Sequence, residues 1–333
     1  TLLISILLLI SSAIAFAQDF FPPITNYTTA DYGMDFAPEN HGICQDENGV
    51  MYFGNTGNIL SFDGNEWRSI KVVPGRTTRS LLRASDGTIY AGSQGDFGHL
   101  VVDSVGAYHY KSLVDSTLRK EHPFTNVWFI HEIEGTIYFQ SEEQLFALQN
   151  GQLVTLPMPG EIHTSFNVND QLVARMRDNG LMVWKNQQWI KVKGSELFEL
   201  YAVFGILPTA DPNKKIVISQ EIGIFAWNLS KNQLTPIETE HDEQLINYYL
   251  FGAQRIGSNR ISLATKDKGL IFINNEGKEL GRVDKRLGLV SNDIQNQFVD
   301  QDGNLWLTTS NGIVLINLNA RLSYFGQLQG LHG

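Results

Sequence analysis

The stretch Asp302-Gly303-Asn304-Leu305-Trp306-Leu307-Thr308-Thr309-Ser310-Asn311-Gly312-Ile313-Val314-Leu315-Ile316 decides the fold. It reads as a turn, a strand, a tight turn and a second strand. Asp-Gly and Asn-Gly steps supply the positive φ that a hairpin turn needs, and the apolar runs between them are strand-length. The same grammar recurs upstream. Gly49-Val50-Met51-Tyr52-Phe53-Gly54 leads to Ile59-Leu60-Ser61-Phe62. Gly87-Thr88-Ile89-Tyr90-Ala91-Gly92 leads to Leu100-Val101-Val102, and Gly135-Thr136-Ile137-Tyr138-Phe139 leads to Leu145-Phe146-Ala147-Leu148.

Three more copies keep the shape with less of the detail. Gln171–Ala174 leads to Gly180–Trp184, Lys215–Ile218 to Gly223–Trp227, and Arg260–Leu263 to Gly269–Ile273. The anchor positions are Tyr52, Tyr90, Tyr138, Val173, Val217, Ser262 and Trp306, spaced by about 42 residues. A four-stranded propeller blade takes about 40–45. A bulky anchor fills the space between neighbouring blades, and the small residues Gly54, Gly92 and Thr308 beside it let packed sheets approach. A βαβ fold would need amphipathic helices between strands, and only Lys111–Lys120 is a candidate. A sandwich would not require a repeating anchor. The expectation is an all-β chain, a seven-bladed β-propeller of four-stranded antiparallel blades over residues 18–320.

Two segments compete to complete the ring. Ile24 to Gly33 reads as an outermost strand and its exit, and so does Leu322 to Leu331. One is spare: either the N-terminal strand completes the last blade, or the C-terminal one does. Residues 321–333 are expected to hold an outer strand and the start of a following module.

Leu2 to Phe16 is an almost unbroken apolar run followed by Ala15-Phe16-Ala17-Gln18, which fits the small-x-small cleavage rule. Residues 1–17 are expected to be a signal peptide that lacks its basic leader, and the protein to be exported to the periplasm. The run is shorter than the ~20 apolar residues of a membrane span.

The 333 residues carry a formal net charge of −10, with no run of Lys or Arg beyond Lys214-Lys215. Nothing here resembles the basic footprint of a nucleic-acid binder. The single cysteine, Cys44, allows no internal disulfide and reads as a small core residue. His131-Glu132-Ile133-Glu134 lacks the second histidine of the zinc-binding H-E-x-x-H. Asp300-Gln301-Asp302-Gly303-Asn304 starts like a calcium loop, but position twelve is Asn311 rather than Glu. No metal, cofactor or catalytic residue is assigned, although many carboxylates are present and a paired-carboxylate hydrolase stays open.

Gly288-Leu289-Val290-Ser291-Asn292-Asp293-Ile294, with the Asp300–Ile313 segment that follows, resembles the two-component regulator propeller repeat. That family's pattern runs Gly-Leu, a polar pair, an apolar strand, Asp-x-x-Gly-x-Leu-Trp-x-Gly-Thr and a closing Gly-Leu. Thr308 stands where the family usually has Gly. The resemblance implies the periplasmic sensor region of a membrane signalling receptor, followed by a triple-tyrosine module, a membrane helix and a kinase or transcription-regulating output. It further implies an oligosaccharide or small-molecule ligand and, by analogy with kinase-coupled receptors, a homodimer.

In propellers the link from one blade's outer strand to the next blade's inner strand crosses one face near the axis. Such links place His41, Arg79, Asn126, Trp128, His163, Tyr201, Tyr249 and Asn292 as candidate ligand-binding residues, with aromatic faces for a sugar ring and polar tips for its hydroxyls. Each of these has a plain alternative role, packing between blades or capping a turn. A secreted propeller enzyme acting on carbohydrate, and a protein-protein interaction scaffold, remain as alternatives to the sensor.

Overall fold

The computed structural model of the chain describes residues 22–237 and 247–320. Its strands form seven four-stranded antiparallel sheets. Blade 1 runs Ile43–Gln45, Met51–Gly54, Asn58–Phe62 and Trp67–Lys71. Blade 2 runs Thr78–Arg83, Ile89–Ser93, Asp96–Val102 and Tyr108–Ser112, and blade 3 runs Phe129–Ile133, Thr136–Gln140, Leu145–Gln149 and Gln152–Thr155. Blade 4 comprises Ile162–Asn167, Leu172–Met176, Gly180–Lys185 and Gln188–Lys191. Blade 5 comprises Val203–Pro208, Lys214–Ser219, Gly223–Asn228 and Gln233–Ile237. Blade 6 comprises Leu250–Ile256, Arg260–Thr265, Leu270–Ile273 and Glu279–Val283. Blade 7 takes Ile294–Val299, Leu305–Thr309 and Gly312–Ile316 from one end of the chain and Ile24–Tyr27 from the other.

That last pairing settles how the ring closes. Ile24–Tyr27 lies antiparallel to Gly312–Ile316, with Ile24 opposite Ile316 and Tyr27 opposite Ile313. Asn26 reinforces it: its side chain donates to the Gly288 carbonyl (2.8 Å) and accepts from the Val290 amide (3.0 Å). The rival strand at Leu322 to Phe325, the leader at residues 1–17 and the module start at 321–333 lie outside the described residues. Among the described residues no helix is long and apolar enough to cross a membrane. The helix expected within Lys111–Lys120 is a short one, Ser116–Glu121, capped by the Asp115 carboxylate.

The apolar side chains segregate into seven buried clusters, one at each junction between neighbouring blades. Alternate residues of each second strand therefore face the preceding and the following blade, so both faces are buried and the strand reads as an apolar run. In blade 1, Met51 and Phe53 pack toward blade 7, while Tyr52 packs toward blade 2. Six of the seven anchors hold this forward-facing position.

Blade 5 is the exception. Val217 faces back into the junction with blade 4, and Ile216 takes the anchor position toward blade 6. Ile216-Val217-Ile218 is uniformly apolar and β-branched, so no alternation marks its register. In blade 6 the anchor is Ser262. The side chain of Gln297 from blade 7 fills the space instead and accepts a 2.6 Å hydrogen bond from the serine hydroxyl.

The small residues behave as expected. A Cβ on Gly54 would lie 2.3 Å from the Thr78 carbonyl oxygen of blade 2, and one on Gly92 would lie 2.5 Å from Val127 Cγ1 at the edge of blade 3. Cys44 is buried at the junction of blades 1 and 2, where burial pushes its thiol pKa up.

Candidate functional site

Five of the seven inner strands begin with an irregularity near the axis. In blades 2, 4, 5, 6 and 7 the ladder skips one residue: Arg79, His163, Phe204, Phe251 and Gln295. A bulge of this kind leaves a residue without a cross-strand partner and re-aims its side chain. Counting back from each anchor's cross-strand partner by the same three positions gives His41 in blade 1 and Trp128 in blade 3. His41 donates its amide to Gly54 O and Trp128 to Gln140 O.

These seven residues, one per blade, line a single cavity of about 210 Å³. Phe129, Glu142, Thr164 and Asn296 complete its wall. Four of the residues expected from sequence, His41, Arg79, Trp128 and His163, occupy ring positions. Asn126 lies behind them and accepts from Arg79 Nε at 3.4 Å.

The other three sit elsewhere. Tyr201 lies three residues before Phe204, and its carbonyl accepts from Arg175 Nε (3.2 Å). Tyr249 lies two residues before Phe251 with its side chain 61% exposed. Asn292 lies three before Gln295 and caps the turn at Lys285, whose amide it accepts at 2.8 Å. In these blades the chain enters the inner strand later than the crossing segment suggests. Phe204, Phe251 and Gln295 lie three positions before the cross-strand partners of Ile216, Ser262 and Trp306.

The ring has a polar and an aromatic side. Arg79 Nη1 donates to His41 Nε2 (2.9 Å), and the Arg79 guanidinium lies 5.1 Å from the Trp128 ring centroid. Burial, together with the Arg79 charge, lowers the His41 pKa to about 3. Its imidazole is therefore neutral and accepts from the arginine. Across the ring, His163 packs edge-on against Phe204 with centroids 5.6 Å apart. Burial and then Arg175 and Arg177 lower its pKa to about 4, and its Nδ1 is buried without a partner. Glu142, the only carboxylate on the wall among the described residues, lies 3.8 Å from Arg177.

Chemically, the cavity offers broad aromatic faces from Trp128, Phe129, Phe204 and Phe251, with polar tips between them. Aromatic faces cover the apolar side of a ring-shaped ligand, and the polar tips orient it. Among the described residues no group of His, Cys, Asp or Glu is arranged to hold a metal ion.

No family model and no curated protein matches this chain. Solved structures do. The extracellular domain of a one component system from B. thetaiotaomicron superposes with a TM-score of 0.70 at 19% identity, over 90% of this chain and 40% of that one. The extracellular domain of a hybrid two component system from B. thetaiotaomicron gives 0.63 at 14%, over 90% and 42%. Virginiamycin B lyase from Staphylococcus aureus gives 0.66 at 12% identity, over 90% of this chain and all of that one. At these identities the likeness establishes the propeller fold. This chain spans about 40% of the length of the signalling-system domains, whose fold it shares as the repeat resemblance implies.

Proposed function

We propose that this propeller is the ligand-sensing region of an exported signalling receptor, and that the axial cavity takes its signal molecule, a carbohydrate or small metabolite. The observation that carries this reading is the ring itself. Seven equivalent positions converge on one cavity with residues suited to hold a ring-shaped ligand rather than to transform it. A glycoside hydrolase needs a pair of carboxylates across the scissile bond, and among the described residues Glu142 is the only carboxylate on the wall. A general base works best with a pKa near the operating pH, whereas His41 and His163 are pushed to about 3 and about 4.

The likeness to extracellular domains of two-component systems supports the receptor context. In that reading the protein is periplasmic and anchored in the inner membrane. It passes the signal through a downstream propeller or triple-tyrosine module to a cytoplasmic kinase or transcription-regulating output, and works as a homodimer. A ligand transmits a signal only if it binds two arrangements of the receptor unequally. The enzyme reading draws on the lyase that shares the fold.

One experiment separates the two. The chain is screened by thermal shift against oligosaccharides and small metabolites, and each hit is recovered and analysed. A ligand that raises the melting temperature and returns intact supports the sensor. A hit returned as product establishes an enzyme, and a panel without hits overturns the axial site.

A further inference from the structure

The cavity carries a formal positive charge at Arg79. Arg79 is partly buried, and among the described residues no carboxylate lies within ion-pairing distance of it. Its side-chain partners are neutral: His41 Nε2 at 2.9 Å, His41 Nδ1 at 3.3 Å, Asn126 Oδ1 at 3.4 Å and the face of Trp128. The Nη2 donor makes no hydrogen bond to any described residue.

This is unusual for a partly buried cation. Taking a guanidinium out of water is costly unless it is paired, and this chain is acidic overall, with a net charge of −10. Carboxylates are plentiful, yet Glu39, whose charge acts on Arg79, stays beyond ion-pairing distance of it. Glu39 is about half exposed and lies 3.8 Å from His41, and Glu142 lies 3.8 Å from Arg177. Arg175, also buried, spends its donors on the carbonyls of Phe198, Tyr201 and Glu199. Arg79 acts on His41, and Arg175 and Arg177 act on His163, as positive charges along this side of the cavity. An arginine fork presents its free donors in the plane that a carboxylate matches.

We propose that the axial cavity binds an anionic sugar, with the carboxylate on Arg79 and the sugar ring against Trp128. This rests on the axial site proposed above and specifies the charge of its occupant. The cavity, at about 210 Å³, is smaller than the ~300–1,000 Å³ of drug-sized pockets, so it seats one acidic ring rather than a chain of them. Thr164 of blade 4 and Asn296 of blade 7 also line the cavity.

The test uses matched pairs on the intact chain: D-glucuronate against D-glucose, and D-galacturonate against D-galactose, titrated calorimetrically at 50 and 500 mM NaCl. The expected result is that at least one uronate binds at least about tenfold more tightly than its neutral partner, and that high salt weakens only the uronate. Arg79→Gln is expected to erase the difference and Arg79→Lys to keep part of it, with circular dichroism confirming that both fold. If either variant unfolds, the salt dependence of the wild-type chain decides instead. Neutral sugars binding as tightly as the acids, without salt dependence, overturn the anionic ligand and leave the sensor reading standing. If neither member of either pair binds, the anionic-sugar proposal falls; the sensor reading is then decided by the wider ligand panel.

Discussion

The indole nitrogen of Trp306 donates to the Asp300 carboxylate across 2.9 Å, and the Tyr52 hydroxyl donates to Asp46 across 3.0 Å at the same six-residue spacing. In both cases the other carboxylate oxygen accepts two backbone amides of the turn, those of Asp302 and Asn304 or of Asn48 and Val50. One aspartate thus shapes the hairpin and fixes the anchor ring that packs against the next blade. That is the physical content of an Asp-x-x-Gly-x-Leu-Trp repeat.

Asp300→Ala removes the turn's acceptor and strands the buried indole N–H. A loss of about 2–4 kcal/mol is expected, read from urea denaturation, with Asp302→Ala as the exposed control. Equal effects in the two variants would sink the account.

Gly54→Ala forces a methyl group against the Thr78 carbonyl, where only backbone movement can make room. Overpacking of this kind costs about 1–3 kcal/mol. Calorimetry is expected to show a melting temperature lower by several degrees, whereas Gly64→Ala, whose Cβ would meet nothing within 4 Å, should show only the smaller cost of its positive φ.

Asn26→Ala deletes both side-chain bonds that tie the closing strand to the Gly288–Val290 segment. The outer strands of blade 7 should then exchange their amide hydrogens faster, while those of blade 4 stay unchanged. Uniform acceleration around the ring would show instead that closure and global unfolding are one event.

Three histidines couple the fold to pH. Burial is the main cause in each: the pKa falls to about 3 for His41, and to about 4 for His131 and His163. The unfolded chain takes up these protons below about 6.5, and the folded chain does not until near 3 to 4. Their stabilisation is therefore full above pH 6.5 and drains away as pH falls toward 4, by at most about 1.4 kcal/mol per pH unit for each group. Urea midpoints measured from pH 7.5 to 4.5 should fall, and His131→Gln should flatten the slope.

The register of the ring is testable in the same way as its ligand. With any ligand found for the cavity, Phe204→Ala and Phe251→Ala are expected to weaken binding about tenfold or more. Tyr201→Ala and Tyr249→Ala should leave it within about twofold. The opposite pattern would return the site to the crossing segments.

Those two pairs also mark how far the sequence could be read. Repeats with an aromatic anchor and an Asp-Gly or Glu-Gly turn announce both the blade and the register, so His41, Arg79 and Trp128 could be placed on the axis. His163 follows from Val173 by the same spacing. In blade 5 the anchor strand is a run of β-branched residues without alternation, and in blade 6 the anchor is a serine. There only the crossing segments point to the axis, and the candidates they give, Tyr201 and Tyr249, lie three and two residues before Phe204 and Phe251. In blade 7 the register was clear from Trp306, but Asn292 of the repeat signature drew attention away from Gln295. The closing strand was ambiguous for a simpler reason: two ends of similar composition fitted one vacancy, and only pairing across the ring distinguishes them.

The entry to the inner strand separates two duties that most folds mix. Second-strand residues pack the junctions between neighbouring blades, while the ring residue meets whatever enters the axis. His41, Arg79, Trp128, His163, Phe204, Phe251 and Gln295 thus behave like the wheels of a combination lock. Each can turn to a new chemistry through one substitution while the housing stays intact, so related propellers can diverge in what they recognise far faster than in how they fold.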